Sequence, residues 1–230
     1  MSPLLTKAWA DVRRHRVQTV VVLVVVLLAT GTATLGLTLM AQASNPYDSA
    51  FAAQRGAHLQ VFFDSAKMTR EQAAATGGAA GAAEVGGPWL SSGLTLQHGA
   101  ARLTPNVDAR DDPGGPVGRL RLTAGRWAAA PGEVVVTRSF AEVAGVPVGT
   151  RLQVVGAPAR PSLLVVGEAV DVDEGEARLS SQWTWVPASA FAGLTPPTSR
   201  EYHVAYRFPG TPGAEQLQRA IDRVKAAVPE

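Results

Sequence analysis

Val17-Gln-Thr-Val-Val-Val-Leu-Val-Val-Val-Leu-Leu-Ala-Thr-Gly-Thr-Ala-Thr-Leu-Gly-Leu-Thr-Leu-Met-Ala41 holds no charged residue and follows directly on Arg13, Arg14 and Arg16. About 20 apolar residues are enough to cross a bilayer as a helix. In lipid every backbone amide must be bonded within the segment, so a single pass has to be helical, and the many valines are no obstacle there. The run predicts a transmembrane helix over 17–41, with everything else arranged around it.

Charge gives the orientation. Lys7, Arg13, Arg14 and Arg16 stand before the run against the single acid Asp11, and the remainder of the chain is close to neutral. The positive-inside rule predicts that residues 1–16 stay in the cytoplasm and that the C-terminal part is extracytoplasmic, in a single-pass protein of the cell membrane. The basic pI of 9.3 therefore comes from a short flank and does not argue for a nucleic-acid partner. Ala41-Gln42-Ala43 also fits the small-x-small site of a secretory signal peptide, which would free a domain beginning at Ser44. The apolar run is much longer than the 7–15 residues usual for such peptides, which favours a retained anchor. Leu4, Leu5, Ala8, Trp9 and Val12 share one face at helical spacing, which predicts an amphipathic helix on the inner leaflet with Trp9 at headgroup level; a disordered tail is the alternative.

About 190 residues follow the run, enough for one sizeable domain or two small ones. The chain has no cysteine, which excludes disulfides, thiolate metal sites and thiol redox chemistry. Arginine greatly outnumbers the three lysines, Lys7, Lys67 and Lys225, so an individual arginine carries little information by its type alone.

Ser44-Asn45-Pro46-Tyr47-Asp48 reads as a turn that ends the membrane helix, because Pro46 lacks the amide to continue it. Pro46, Tyr47 and Phe51 then form the junction to the domain. Leu59, Val61 and Phe63 alternate on one face of a strand, with His58 and Gln60 on the other. Thr69-Arg70-Glu71-Gln72 matches a capping box and opens a helix expected to stop near Gly77-Gly78. Residues 77–87 read as a connector, since they lack the Gly-Lys-Ser/Thr ending of a phosphate loop. Residues 90–97 read as the next strand. From Arg102 short apolar runs alternate with Gly, Pro and Asp, the pattern of a mostly antiparallel β region with strands over 120–122, 133–137, 151–155, 163–166 and 183–186. Ser139-Phe140-Ala141-Glu142 reads as a second capping box before a short helix ending at Gly145. Residues 202–208 alternate as a strand, and Thr211-Pro212 reads as the start of a last helix with Leu217, Ala220, Ile221, Val224 and Val228 on its apolar face.

Leu122-Thr-Ala-Gly125-Arg126-Trp127, Pro131-Gly132-Glu133-Val-Val-Val-Thr137, Gly145-Val-Pro-Val-Gly149-Thr150-Arg-Leu152, Leu163-Leu-Val-Val-Gly167 and Trp185-Val186-Pro187 before Phe191 follow one another in a fixed order. That ordered set, over about Gly125 to Phe191, resembles the exported domain of FtsX/MacB-like ABC transporter permeases. The physical reading of Gly125, Arg126, Pro131, Gly132, Glu133, Gly145, Gly149 and Gly167 is structural: turns, a strand start and a helix end. The resemblance implies an α+β fold, with one N-terminal transmembrane helix followed by an extracytoplasmic mixed α/β layer carrying an inserted β-rich lobe. The corresponding division is 1–16 cytoplasmic, 17–41 transmembrane, 42–100 and 199–230 the membrane-proximal layer, and 101–198 the lobe. These permeases have further membrane helices after the exported domain, which this sequence does not contain; the expectation is an N-terminal portion or a half that needs another permease chain.

Chemistry is sparse. Asp171-Val-Asp173-Glu174-Gly175-Glu176 is the densest acidic cluster, but it lacks the ligand ladder of a calcium loop and reads as solvated. His15, His58, His98 and His203 stand singly, without the close spacing of a zinc site, although distant ones could meet in the fold. No Gly-x-Ser-x-Gly elbow is present. Trp127, Trp183 and Trp185 read as packing anchors, with a ligand cage as the alternative. No residue is assigned to catalysis, a cofactor or a metal. The resemblance implies a non-enzymatic permease component that moves with ATP bound by a cytoplasmic ABC ATPase partner. It further implies action on an extracytoplasmic lipoprotein, peptide or cell-wall enzyme, with Trp9, Arg13, Arg14 and Arg16 holding the helix base in the bilayer. The alternative is a single-pass anchored binding or adaptor module without transport activity.

Overall fold

The structure is a computed structural model and describes residues 16–157, 159–172 and 182–228. The chain divides into two units between Ser49 and Ala50.

In the first unit, helix α1 starts at Arg16 and extends to Ala53. Its stretch Val20–Met40 has a mean hydropathy of 2.5 and no buried share, long and apolar enough to cross a membrane. The threonines in it do not leave hydroxyls unpaired. Thr30, Thr32, Thr34 and Thr38 each donate to the carbonyl four residues back, at 2.6–2.8 Å, which suits an apolar solvent without competing water. The expected helix end at residues 44–48 is corrected: α1 passes through Pro46. One proline removes one rung of the ladder, and the turns on either side hold the helical path, as is common in apolar helices.

The second unit contains the end of α1, β1 (Leu59–Asp64), α2 (Arg70–Ala80), β2 (Glu84–Gly93), β3 (Thr95–His98), β4 (Ala101–Leu103), β5 (Asn106–Ala109), β6 (Arg121–Gly125) and β7 (Glu133–Thr137). It continues with α3 (Arg138–Ala144), β8 (Arg151–Val155), β9 (Ser162–Val170), β10 (Trp183–Val186), α4 (Ala188–Leu194), β11 (Glu201–Arg207) and α5 (Ala214–Ala227). Among the described residues the strands form one sheet in the order β1-β11-β2-β5-β10-β7-β9-β8-β3-β4, with β6 also pairing β9.

The expected mixed α/β class holds. The region 101–198 is less antiparallel than expected, because β10 runs parallel to β5 and β9 parallel to β7. Parallel neighbours need a crossover, and α3 lies within the connection from β7 to β9. The Thr69–Gln72 capping box forms in both directions, but α2 continues past Gly77-Gly78 to a left-handed Gly81. Helix α3 is capped by Thr137, whose hydroxyl accepts from the Phe140 amide, rather than by Ser139. Thr137 is the residue that leaves β7 with extended backbone, so it occupies the cap position. Helix α5 begins after Gly213, not at Thr211.

Three hydrophobic clusters hold the unit. Phe63, Met68, Ala73, Val204, Tyr206, Ala220 and Val224 pack α2 and α5 on one face of β1 and β11. Tyr206 and Thr76 share a buried hydroxyl contact at 2.5 Å, and burial pushes the Tyr206 phenol pKa upward. Leu96, Val107, Val134, Val136, Phe140, Leu152, Leu163, Val165 and Phe191 fill the core beneath α3 and α4. Trp185, Val135, Val166 and Ala169 form a third cluster.

Candidate functional site

The end of α1 is where the sequence invites a functional reading, and its last residues belong to the second unit. The Gly56 amide donates to the Phe51 carbonyl at 2.8 Å and closes the helix. Arg55, between them, has φ 52, a left-handed conformation that costs a residue with a Cβ about 1–2 kcal/mol. Its side chain is tied down at both ends. Nε donates to the Pro116 carbonyl at 2.6 Å, and the guanidinium pairs with Glu84 of β2. That hydrogen bond is the main reason the Glu84 carboxyl sits below its ordinary pKa.

Gln54 is 6% exposed. Its carbonyl accepts from the Arg119 amide at 2.7 Å and the Arg55 carbonyl accepts from Gly118 at 2.9 Å. The Gln54 Oε1 accepts from the Val172 amide at 2.8 Å. Two consecutive residues thus fasten the helix end to β2, to the 113–120 loop and to the segment after β9. Phe51 packs beside His58, with ring centroids 5.3 Å apart, and the Arg207 guanidinium stands 5.3 Å from its ring centre. His58 Nδ1 accepts from the Phe208 amide at 3.0 Å, which puts the ring proton on Nε2. Burial first and Arg207 second hold the His58 pKa below its ordinary value.

Of the residues assigned to the junction, Phe51 lies at this closure, whereas Pro46 and Tyr47 lie within α1 in the first unit. Trp9, Arg13 and Arg14 lie outside the described residues, and Arg16 is the first described residue of α1. Gln54 and Arg55 were missed because Pro46 suggested an earlier stop. The available signal was Arg55-Gly56, a basic residue and a glycine directly after a helix.

Of the motif residues, Gly125 lies on β6, Glu133 on β7 and Gly167 on β9. Gly125 and Gly167 face each other across the β6/β9 pair. A Cβ on Gly125 would come within 3.0 Å of the Val166 carbonyl oxygen, and one on Gly167 within 3.0 Å of the Arg126 carbonyl oxygen. Neither position has room for a side chain. The Glu133 amide donates to the Ala130 carbonyl at 3.1 Å, closing a turn with Pro131 second and Gly132, at φ 89, third. That is the type II arrangement. Gly145 ends α3, and Gly149 lies in the bend before β8.

Arg126 grips both oxygens of Glu133, with Nη1 at 2.8 Å from Oε2, and the Ala129 and Ala130 amides donate to the same carboxylate at 3.0 and 3.2 Å. The Arg126 hydrogen bond, then the Ala129 amide, bring the Glu133 pKa down to about 2. A carboxylate with a depressed folded pKa contributes stability that is complete above its unfolded value and is lost as pH falls through the folded one. The expected window is therefore from about pH 4.5 down to about pH 2. Arg126→Ala is expected to raise the Glu133 pKa while the two amides keep it below 4.5, as read by carboxyl-carbon NMR titration; no movement would show that Arg126 does not set it.

The remaining candidates separate. Trp127 and Trp185 meet at 6.1 Å within the third core cluster, and the Trp127 indole donates to the Arg110 carbonyl at 3.3 Å. His203 Nδ1 lies 2.8 Å from Asp108 Oδ2. In the acidic loop, Asp173, Glu174, Gly175 and Glu176 lie outside the described residues.

No family model matches the chain. No curated protein matches it by sequence. Among solved structures, it is similar to the extracellular domain of the noncanonic ABC-type transporter YknZ from Gram-positive bacteria, with a TM-score of 0.42 and 13% identity over 74% of this chain and 92% of that one. It is also similar to the periplasmic region of MacB from Actinobacillus actinomycetemcomitans, with a TM-score of 0.39 and 14% identity over 74% of this chain and 75% of that one.

Proposed function

We propose that the chain is a permease component of an FtsX/MacB-type ABC transporter, anchored by α1 and carrying an extracytoplasmic domain that moves with ATP turnover on a partner subunit. The observation that carries this reading is the ordered motif set from Gly125 to Phe191, preceded in the same chain by an apolar helix with basic residues on its N-terminal flank. By the positive-inside rule that flank supports a cytoplasmic side for residues 1–16, where an ATPase would bind, and an extracytoplasmic domain. Neither ATP nor the transported path is assigned to this chain.

The helix end supports a transmitting role. Displacing the last turn of α1 would pull on Gln54 and Arg55, and through their hydrogen bonds on β2, the 113–120 loop and Val172. Coupling of this kind needs groups with direct contacts to several segments, and these two residues have them. The domain would in turn act on an extracytoplasmic lipoprotein, peptide or cell-wall enzyme.

The test is purification of the tagged full-length chain from its native membranes in a mild detergent, followed by identification of the co-purifying proteins. An ATP-binding cassette subunit in comparable amount is expected. A chain that purifies without one, under conditions that retain the ATPase of related permeases, would contradict the proposal.

A further inference from the structure

On β1 and β11, Phe63, Val204 and Tyr206 face the cluster under α2 and α5, so Phe62 and His203, which alternate with them, face the other way. That other face holds a cavity of about 380 Å³ running across β1, β11, β2, β5 and β10, within the size range of about 300–1,000 Å³ usual for small-molecule sites. Three strands separate β1 from β10, which in a flat sheet would put them about 19 Å apart. The Phe62 and Trp183 ring centres are nevertheless only 6.0 Å apart. The sheet curls around the cavity, and these two rings, stacked with His203 at 4.6 and 5.4 Å, form an aromatic wall.

Asp108 and His203 line it, 2% and 7% exposed. A carboxylate can only accept, so the proton between them sits on His203 Nδ1 and the bond is used at Asp108 Oδ2. Asp108 Oδ1 and His203 Nε2 remain, both buried and without a hydrogen-bond partner. With a neutral imidazole both are acceptors, and a buried acceptor lacking a donor is costly to maintain. The complement is a ligand rich in donors. Charge of both signs lines the cavity: the carboxylates of Asp171 and Glu201 join Asp108, while the Arg110 guanidinium lies 4.3 Å from the Trp89 ring centre and donates to the Gly118 and Gly114 carbonyls at 3.0 and 2.8 Å. A sugar ring offers both halves of the complement, hydroxyl donors for the two acceptors and an apolar face for the rings.

We propose that this cavity binds a neutral sugar residue, with a pyranose ring face lying on Phe62 and Trp183 and two hydroxyls donating to Asp108 Oδ1 and His203 Nε2. Half-exposed rings offer the apolar platform, and Asn106 and Gln60 supply further polar groups at the rim. The site does not depend on the ATPase partner proposed above.

The full chain in lipid nanodiscs, free of glycoside detergent, is titrated with D-glucose, D-galactose, D-mannose and N-acetyl-D-glucosamine and read by ligand-observed saturation-transfer NMR. At least one sugar is expected to bind saturably with a Kd of about 0.1–10 mM. Trp183→Ala and Asp108→Asn are each expected to weaken it at least tenfold. Should the buried Asp108→Asn variant fail to fold, Asn106→Ala on the exposed rim is expected to weaken it about threefold, a change equal to roughly 0.6 kcal/mol. Absence of saturable binding by all four sugars, binding of propylammonium in their place, or unchanged affinity in Trp183→Ala would each overturn the proposal.

Discussion

Gly167→Ala is expected to cost about 3 kcal/mol, a fall of roughly 6–12 °C in the thermal midpoint for a protein of this size. The new methyl would fall within 3.0 Å of the Arg126 carbonyl oxygen, and the second and third neighbours are the Arg126 carbonyl carbon and a Leu122 methyl. The first two are backbone, so the methyl cannot be cleared by a rotamer change. Either β6 and β9 part, breaking the bond from the Arg126 amide to the Val166 carbonyl at 2.9 Å, or both strands shift within a filled cluster. Gly125→Ala is expected to cost more, about 4 kcal/mol, because its φ of 68 adds left-handed strain to the clash with Val166. The internal comparison is Gly78→Ala in α2, where a Cβ meets nothing within 4 Å. That change is expected to stabilise by about 0.5–1 kcal/mol, since alanine is the better helix former. Equal midpoints for all three variants would remove the steric account of the motif glycines.

The second large effect is expected at the end of α1. Gln54→Ala leaves the Val172 amide without its acceptor, a loss of about 1–3 kcal/mol for a buried donor. Arg55→Ala removes the Glu84 pair and the Pro116 bond while keeping the left-handed backbone. The Arg55 side chain is 35% exposed, so screening reduces the pair and the expected cost is about 1–2 kcal/mol. Arg55→Gly is expected to recover about 1 kcal/mol of that, because glycine adopts φ 52 without strain. The losses should be local: hydrogen exchange at the Gly118, Arg119 and Val172 amides is expected to speed up in the Gln54→Ala, Arg55→Ala double variant, while the amides of β7 and β9 keep their protection. Unchanged exchange at those three amides would mean that the helix end does not hold these segments.

Much of this architecture is written in local signals. The strands Glu133–Thr137, Arg151–Val155 and Trp183–Val186 lie where the sequence places them, since each is an apolar run bounded by turn residues. The capping box at Thr69 is equally local. What could not be read depends on distant partners or on solvent. Pro46 would end a helix in water, yet the ladder around it persists. Short β5 and the parallel pairing with β10 have no sequence pattern of their own, because Asn106–Ala109 pairs with residues more than seventy positions later. The cavity is the extreme case: Asp108 and His203 are 95 residues apart, and only the curling of five strands brings the rings of Phe62 and Trp183 over them. The isolated histidines therefore looked uninformative, although two of them hold specific hydrogen bonds, His58 to Phe208 and His203 to Asp108.

Coupling a cytoplasmic ATPase to the domain requires residues 50–230 to lie outside the cytoplasm, with the basic N-terminal flank inside. Because the natural chain has no cysteine, single substitutions report their own side without background. Val148, 40% exposed, and Lys7, ahead of the apolar run, are the two positions to compare. In intact cells a membrane-impermeant maleimide is expected to label Val148→Cys at once and Lys7→Cys only after the membrane is permeabilised. Labelling of Lys7→Cys with protection of Val148→Cys in intact cells would contradict the orientation, and with it the proposed route from a cytoplasmic ATPase to the domain.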